Sequence, residues 1–168
     1  MILTQNIFMA ITKLNQIGID NEKAQALAKK LNDLLANYHV FYQNLRGFHW
    51  NIRGNDFFTL HVKFEEIYRQ SIEDIDEIAE RIRTLGYIPM HAYSDYLKIS
   101  KIKEMKDVAD AKTTVKDTLA NYTTILVKER DLLKLADEAD DEGTSNMMSD
   151  FIQAQEKVVW MLSSWNSK

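Results

Sequence analysis

The chain has 168 residues, of which 45% are hydrophobic and 27% charged, and it contains five glycines and one proline. This length suits a single domain spanning residues 1–168, and the low glycine and proline content favours helices over sheet or disorder. A net charge of −4 gives no overall attraction to nucleic acid or membranes, and the absence of cysteine excludes disulfides, thiolate zinc sites and cysteine catalysis.

The N-terminal segment predicts a short amphipathic helix rather than a targeting signal. Ile7, Ala10, Ile11 and Leu14 recur at helical spacing, and Gly18 closes the segment. It lacks the basic leader, the continuous apolar run and the small-residue cleavage site of a signal peptide. No stretch of the chain approaches the roughly 20 apolar residues of a membrane span. We therefore expect a cytoplasmic protein without a membrane anchor.

The first long helix is expected to begin at Asp20, which suits an N-cap. Its apolar stripe consists of Leu27, Leu31, Leu34, Tyr38, Phe41, Leu45 and Phe48. His49 ends this stripe and is followed by Trp50. His39 has no matching ligand around it, and we interpret it as a structural or exposed residue.

The second long helix is expected from about Phe57 to Leu85, where Gly86 ends it. The turn before it is short, so the first two long helices should run antiparallel. Four residues that can bind a metal lie along it at spacings of four, eleven and four: His61, Glu65, Asp76 and Glu80. Eleven residues make almost three turns, so all four share one stripe. Glu65 and Asp76 are nevertheless roughly 16 Å apart along the axis, too far to share one ion.

Each end of the stripe carries two of the four residues, which is half of a metal site. Because their spacing is symmetric, a second copy of the chain could complete both half-sites. A second copy, laid antiparallel across a two-fold axis, would bring His61 and Glu65 of one subunit to Glu80 and Asp76 of the other, and would do so twice. His49 would be a third ligand from the first subunit. The alternative is a row of solvated charges, the usual meaning of such spacing. Large apolar residues flank the stripe, however, and unpaired carboxylates are costly there.

The rest of the chain predicts two more long helices after a long connection. Residues 92–99 are expected to form a short helix within that connection, the third long helix to cover about 107–137, and an acidic stretch at 137–145 to precede the fourth. This order describes an all-α, ferritin-like four-helix bundle with a short helix in the long second-to-third crossover. The Glu-x-x-His motif of an intramolecular di-iron site is missing, because the residues three before the histidines are Ala36, Arg46, Phe58 and Ile88.

Three segments together resemble the Dps family, the miniferritins of starved and oxidatively stressed bacteria. They are FHWNIRG at 48–54, FFTLH at 57–61 and IDEIAER at 75–81, and the likeness extends from about Asp20 to Trp165. The resemblance implies a hollow homo-dodecamer for iron storage and detoxification. Such a protein is a ferroxidase, an oxidoreductase that oxidises Fe(II), preferably with hydrogen peroxide, and stores ferric mineral inside the cage.

The resemblance also implies a set of site residues. The family's ferroxidase ligands correspond to His49, His61 and Glu65 of one subunit and to Asp76 and Glu80 of its partner, the pairing that the spacing indicates. Glu65 is often Asp in the family, so the extra methylene changes the reach of this ligand. Trp50 corresponds to a tryptophan beside the site that supplies an electron to a stray oxidant. The same ligands suit zinc as an adventitious occupant.

The family further implies iron entry through acidic three-fold pores near the start of the last helix. By resemblance, Asp137 and Glu142 would line such a pore, and Asn146 would replace a family acid. The alternative is a solvated acidic loop that caps the last helix, and the sequence leaves the two interpretations equal.

DNA binding, as a nucleoid protein under stress, is the alternative function. Members that coat DNA do so through lysine-rich tails, because phosphate contacts supply most non-specific affinity. Here only Lys13 precedes Asp20, and the C-terminal tail offers Lys168 alone. The crossover has a basic patch at 98–106 that Glu104 interrupts. We therefore expect weak or absent DNA binding. A purely structural helical scaffold is disfavoured, because it gives no reason for the His and carboxylate stripe.

Overall fold

The first long helix, α1 (Asn21–Asn51), begins where the sequence predicts. The Asp20 side chain accepts hydrogen bonds from the backbone N–H groups of Glu22 and Lys23, and thereby satisfies two of the free donors at the helix start. This structure, a computed structural model, describes residues 13–167. The predicted apolar stripe of α1 is buried over its whole length. Each leucine in it contributes about 1.5–3 kcal/mol through its removal from water.

Helix α2 (Phe57–Thr84) follows a five-residue turn and packs against α1. It ends at the predicted glycine. Gly86 has a φ of +96°, and the backbone N–H of Tyr87 donates to the carbonyl oxygen of Ile82, which closes the last turn. A left-handed residue at this position favours glycine, so the sequence signal and the observed helix end have the same cause.

The crossover between α2 and the next long helix contains the predicted short helix, α3 (Tyr93–Ile99). Three asparagines on α1 hold this connection in place. The Asn32 Oδ1 accepts from the backbone N–H of Met90 at 2.7 Å, the Asn37 Oδ1 accepts from two N–H groups at 101 and 102, and the Asn44 Oδ1 accepts from Met105 at 2.9 Å. Backbone groups that lie outside regular structure thus find partners on α1.

The last two long helices are α4 (Ala111–Glu138) and α5 (Glu142–Asn166), and their ends differ from the sequence prediction. Helix α4 begins four residues later than expected, because Asp110 is its N-cap and Asp107 has a φ of +57°. The interruption expected at 137–145 is only three residues long. Asp141 caps α5 through the backbone N–H of Thr144, so most of the acidic stretch is helical.

The long helices pack as α1 against α2, α4 against α5 and α1 against α4, and α3 packs on α1. This arrangement confirms the predicted all-α, four-helix bundle with a short helix in its crossover. Within residues 13–167, no helix is long and apolar enough to cross a membrane. The short helix predicted from Ile7 to Leu14 lies almost entirely outside the described residues.

Candidate metal centre

His49 and His61 face each other where the end of α1 meets the start of α2. Their rings are stacked, with ring centres 3.8 Å apart. The Nδ1 of His49 lies 2.8 Å from the backbone carbonyl oxygen of His61, and the Nδ1 of His61 lies 2.8 Å from that of His49. A carbonyl oxygen only accepts, so each Nδ1 donates, and in the neutral ring each Nε2 keeps a free lone pair. Both Nε2 atoms are therefore prepared to bind a metal ion.

Aromatic rings surround this histidine pair and restrict its motion. The ring of Phe57 stacks on His61 with ring centres 5.0 Å apart, and the ring of Tyr68 stands edge-on to His49 at 5.3 Å. Phe57 opens α2 and Tyr68 lies two turns beyond His61, so helical spacing alone places both rings on the α1 side of α2. His49 itself is buried. The rings and the reciprocal hydrogen bonds together fix the direction of both imidazoles.

Glu65 lies one turn after His61 on the same stripe of α2. Its Oε1 accepts two hydrogen bonds from Arg69, at 2.9 and 2.6 Å. The hydrogen bonds from the Arg69 guanidinium hold the pKa of Glu65 below its usual value. Arg69 is 69% exposed, so its surface ion pair costs little to break when another cation arrives. Glu65 is thus an ionised carboxylate beside the histidine pair.

Asp76 and Glu80 lie towards the other end of α2, where both side chains are exposed. The straight helix keeps Asp76 roughly 16 Å from Glu65 within one subunit. Among residues 13–167, no three His, Asp or Glu side chains converge on a point that a metal ion could occupy. One chain therefore carries two separate groups: a histidine pair with one carboxylate, and a pair of carboxylates. Their meeting across a subunit interface stays a prediction.

The remaining predicted site residues lie around these groups without joining them. The indole of Trp50 is 57% exposed, and the guanidinium carbon of Arg46 lies 4.7 Å from its ring centre. The Asp137 Oδ1 accepts from the Ser145 hydroxyl at 2.6 Å, on the last turn of α4. Glu142 is exposed on the first turn of α5. The roles assigned to Trp50, Asp137 and Glu142 stay predictions.

Sequence reasoning missed Arg69 and a buried polar group in the bundle core. Arg69 was detectable, because it lies four residues after Glu65, the spacing of a helical ion pair. The buried group joins three helices: the Tyr38 hydroxyl donates to the Glu129 Oε1 at 2.8 Å, and the Gln155 Nε2 donates to the same oxygen at 2.7 Å. Its signal in the sequence is a charged residue, Glu129, on the apolar stripe of α4.

Burial shifts the pKa of three side chains, one of them in this polar group. It raises the pKa of Glu129 to about 7, and it raises the pKa of Asp74 on α2 to about 6. His39, interpreted from the sequence as structural or exposed, is half-buried and stacks on the Tyr96 ring at 3.9 Å. Burial lowers the pKa of His39 to about 4, so it is neutral at pH 7.

Comparison with known proteins and solved structures finds many that are similar to this chain. The ferritin-like domain family matches residues 28–168. The DNA protection during starvation protein of Porphyromonas gingivalis is 43% identical over 155 residues, which cover 92% of this chain and 98% of that protein. The residues matched by the family, 28–168, span the histidine pair and the whole of α2.

Solved structures share the fold over most of their length. A Dps protein from Vibrio cholerae O1, a member of a broad superfamily of ferritin-like diiron-carboxylate proteins, is 52% identical, with a TM-score of 0.89, over 91% of this chain and 96% of that one. Dps from Listeria innocua, in a structure soaked with zinc, is 27% identical, with a TM-score of 0.81, over 84% of this chain and 97% of that one.

Proposed function

Because the chain belongs to the Dps family of ferritin-like proteins, we propose that it is a ferroxidase that oxidises Fe(II) at sites shared by two subunits and stores the ferric product within a dodecameric cage. The observation that carries the proposal is the His49 and His61 pair, whose Nδ1 atoms are both engaged by backbone carbonyls. A histidine that binds a metal ion usually donates its other ring N–H to a carbonyl or carboxylate oxygen, and both rings show this pattern, so a metal ion is the ligand that they suit.

Each proposed site combines groups from both subunits. His49, His61 and Glu65 come from one subunit, and Asp76 and Glu80 come from its partner. The two-fold axis would pass near the middle of α2, where Ile72 is 42% exposed on the same helix. An exposed isoleucine near the axis gives such an interface apolar surface to bury, while the carboxylates on either side find cations.

The ligand set suits the reaction. Imidazole nitrogens and carboxylate oxygens bind Fe(II), and the negative carboxylates favour the ferric product. Two Fe(II) ions, one hydrogen peroxide and two protons give two Fe(III) ions and two water molecules, so a paired oxidation releases no hydroxyl radical. Oxygen is the slower oxidant in this proposal, and zinc competes with iron for the same ligands.

Other residues have accessory roles in this proposal. Trp50 supplies an electron to an oxidant that escapes paired reduction, and Asp137 and Glu142 attract Fe(II) at the entry pore. Both acids lie within a few residues of the turn between α4 and α5, which supports a common location.

The test is Fe(II) oxidation by the metal-free protein, followed by absorbance first with hydrogen peroxide and then with oxygen. We expect fast, saturable oxidation with peroxide and slower oxidation with oxygen. His91→Ala is a matched control, because His91 is exposed in the crossover and is no proposed ligand. Oxidation no faster than that of free Fe(II) in buffer would contradict the proposal.

A second candidate function, DNA protection, is favoured by the name of the Porphyromonas gingivalis relative. Lys98, Lys101 and Lys103 are exposed near the end of α3, but Glu104 follows them directly. A short patch of this kind provides few phosphate contacts, so we rank this function below ferroxidase activity.

A further inference from the structure

A groove between α2 and α5 encloses a cavity of about 430 Å³, within the roughly 300–1,000 Å³ of small-molecule sites. We call it the α2–α5 groove. None of the proposed iron ligands lines it. Its apolar lining includes Phe41, Ile67, Phe151 and Val158, and its carboxylates are Glu66, Asp74, Glu77 and Asp150. The groove therefore combines an apolar surface with several negative charges.

One buried atom in the lining lacks a hydrogen-bond partner. Gln155 is only 6% exposed, and its Nε2 donates to the Tyr38 hydroxyl and to Glu129. Its Oε1 has no partner among the described residues. Leaving a buried acceptor unpaired is unfavourable. Gln155 lines the groove, so an occupant whose N–H or O–H group reaches this oxygen would satisfy it.

The charges in the α2–α5 groove are spread out, which decides between two kinds of cation. Glu66 and Glu77 are eleven residues apart on α2, about 16 Å along its axis. Within residues 13–167, no three acidic or histidine groups converge as a bound metal ion requires. An extended cation with separated ammonium groups fits better. The Lys63 ammonium group pairs with Glu66 at one end of the lining, on the surface of α2.

We propose that the α2–α5 groove binds a linear polyamine. One ammonium group lies between Glu77 and Asp150, a second nitrogen donates to the Gln155 Oε1, and the methylene chain covers the apolar lining. This binding goes beyond the proposed ferroxidase function and does not depend on it.

The test is calorimetric titration of the metal-free, full-length protein with spermidine at about 150 mM KCl, where surface attraction is screened. We expect saturable binding of one spermidine per chain. Asp150→Lys supplies a competing ammonium, so it should weaken binding by about tenfold or more, as expected for the loss of a charged contact and the gain of a repulsive one. Asp131→Lys on α4 makes the same charge change on an exposed position outside the groove and should change the affinity by less than about twofold.

Three results would overturn the proposal. The first is absence of saturable binding at this salt concentration, which would show that the groove has no site. The second is equal weakening in the two variants, which would show attraction to net charge alone. The third is stoichiometric displacement of spermidine by Mg²⁺ or Mn²⁺, which would indicate a site for a compact ion. Failure of this proposal is distinguishable from failure of the ferroxidase proposal, because Asp150→Lys should leave peroxide-driven Fe(II) oxidation unchanged.

Discussion

His49 and His61 each donate a hydrogen bond to the backbone carbonyl of the other. The acceptor in each bond belongs to the main chain, so replacing one side chain leaves the acceptor of the other in place. The two imidazoles therefore depend on each other's backbone and not on each other's ring for their direction.

Replacing His61 with alanine should abolish Fe(II) oxidation while leaving the fold and His49 in place. The expected loss is to the level of free Fe(II) in buffer, because a ligand is removed, whereas the change in unfolding free energy should be about 1 kcal/mol. Peroxide-driven Fe(II) oxidation and thermal unfolding measure these two quantities. His91→Ala is the control. Full Fe(II) oxidation activity in the His61→Ala variant would show that His61 is not a ligand of the site.

Mixing two inactive variants tests whether the sites are shared. In a dimer of His61→Ala and Asp76→Ala subunits, one site receives both lesions and the other receives neither. Equal random mixing makes about half of the interfaces mixed, so roughly a quarter of all sites should recover. The variants must be co-expressed or refolded together, and oxidation is the measurement. Verified mixed cages that recover nothing would contradict the inter-subunit site.

The assembly should be a dodecamer. Twelve chains of 19.6 kDa give about 235 kDa, and closed two-fold and three-fold axes produce that number. Light scattering after gel filtration measures the mass directly. A Ile72→Lys variant places like charges near the proposed two-fold axis and should give smaller species, while Val127→Lys on α4 is a matched change of an exposed apolar residue. A stable wild-type monomer would contradict the cage.

Stability should fall as the pH rises through the range in which Glu129 titrates. Burial raises its pKa from the usual 4.5 to about 7, so the folded protein binds more protons than the unfolded chain in that interval. The unfolding free energy then decreases with increasing pH, by up to about 1.4 kcal/mol per pH unit for one group. Asp74, raised to about 6, acts in the same direction.

Glu129→Gln isolates the contribution of Glu129, because the amide keeps an acceptor for Tyr38 and carries no charge. Relative to wild type, this variant should gain about 1–3 kcal/mol between pH 5 and pH 8, measured by urea unfolding at fixed protein concentration. Glu138→Gln, at an exposed position of the same helix, should show no such gain. Parallel pH profiles for Glu129→Gln and wild type would show that Glu129 does not bind the extra proton.

DNA should be retarded weakly or not at all on a gel at physiological salt. The chain has a net charge of −4, and Glu104 interrupts the basic patch of the crossover. Few phosphate contacts leave little counterion release to drive binding. Tight DNA retardation that is abolished in a Lys101→Glu variant would contradict this prediction and would assign DNA binding to the crossover lysines.

The helices were predictable because their signals are local. Asp20 as a cap, Gly86 as a stop and the apolar stripe of α1 each act through neighbouring residues, and the structure agrees at all three. One of the two interpretations of the acidic stretch was a solvated cap of the last helix. The capping residue, Asp141, is instead buried, because Arg81, sixty residues earlier, pairs with its carboxylate. The reciprocal bonds of His49 and His61 were likewise invisible, since they depend on how two helix ends meet.

The ion pair between Arg81 and Asp141 has a mechanical consequence. Arg81 follows Glu80 in α2 and also donates to the Thr144 hydroxyl at 2.9 Å, while an added Cβ on Gly143 would lie 2.7 Å from its guanidinium. The last turns of α2 and the first turn of α5 are thus held together through the Arg81 side chain. A side chain at 143 would displace the Arg81 guanidinium from Asp141 and Thr144, and so would remove the link between the end of α2 and the start of α5.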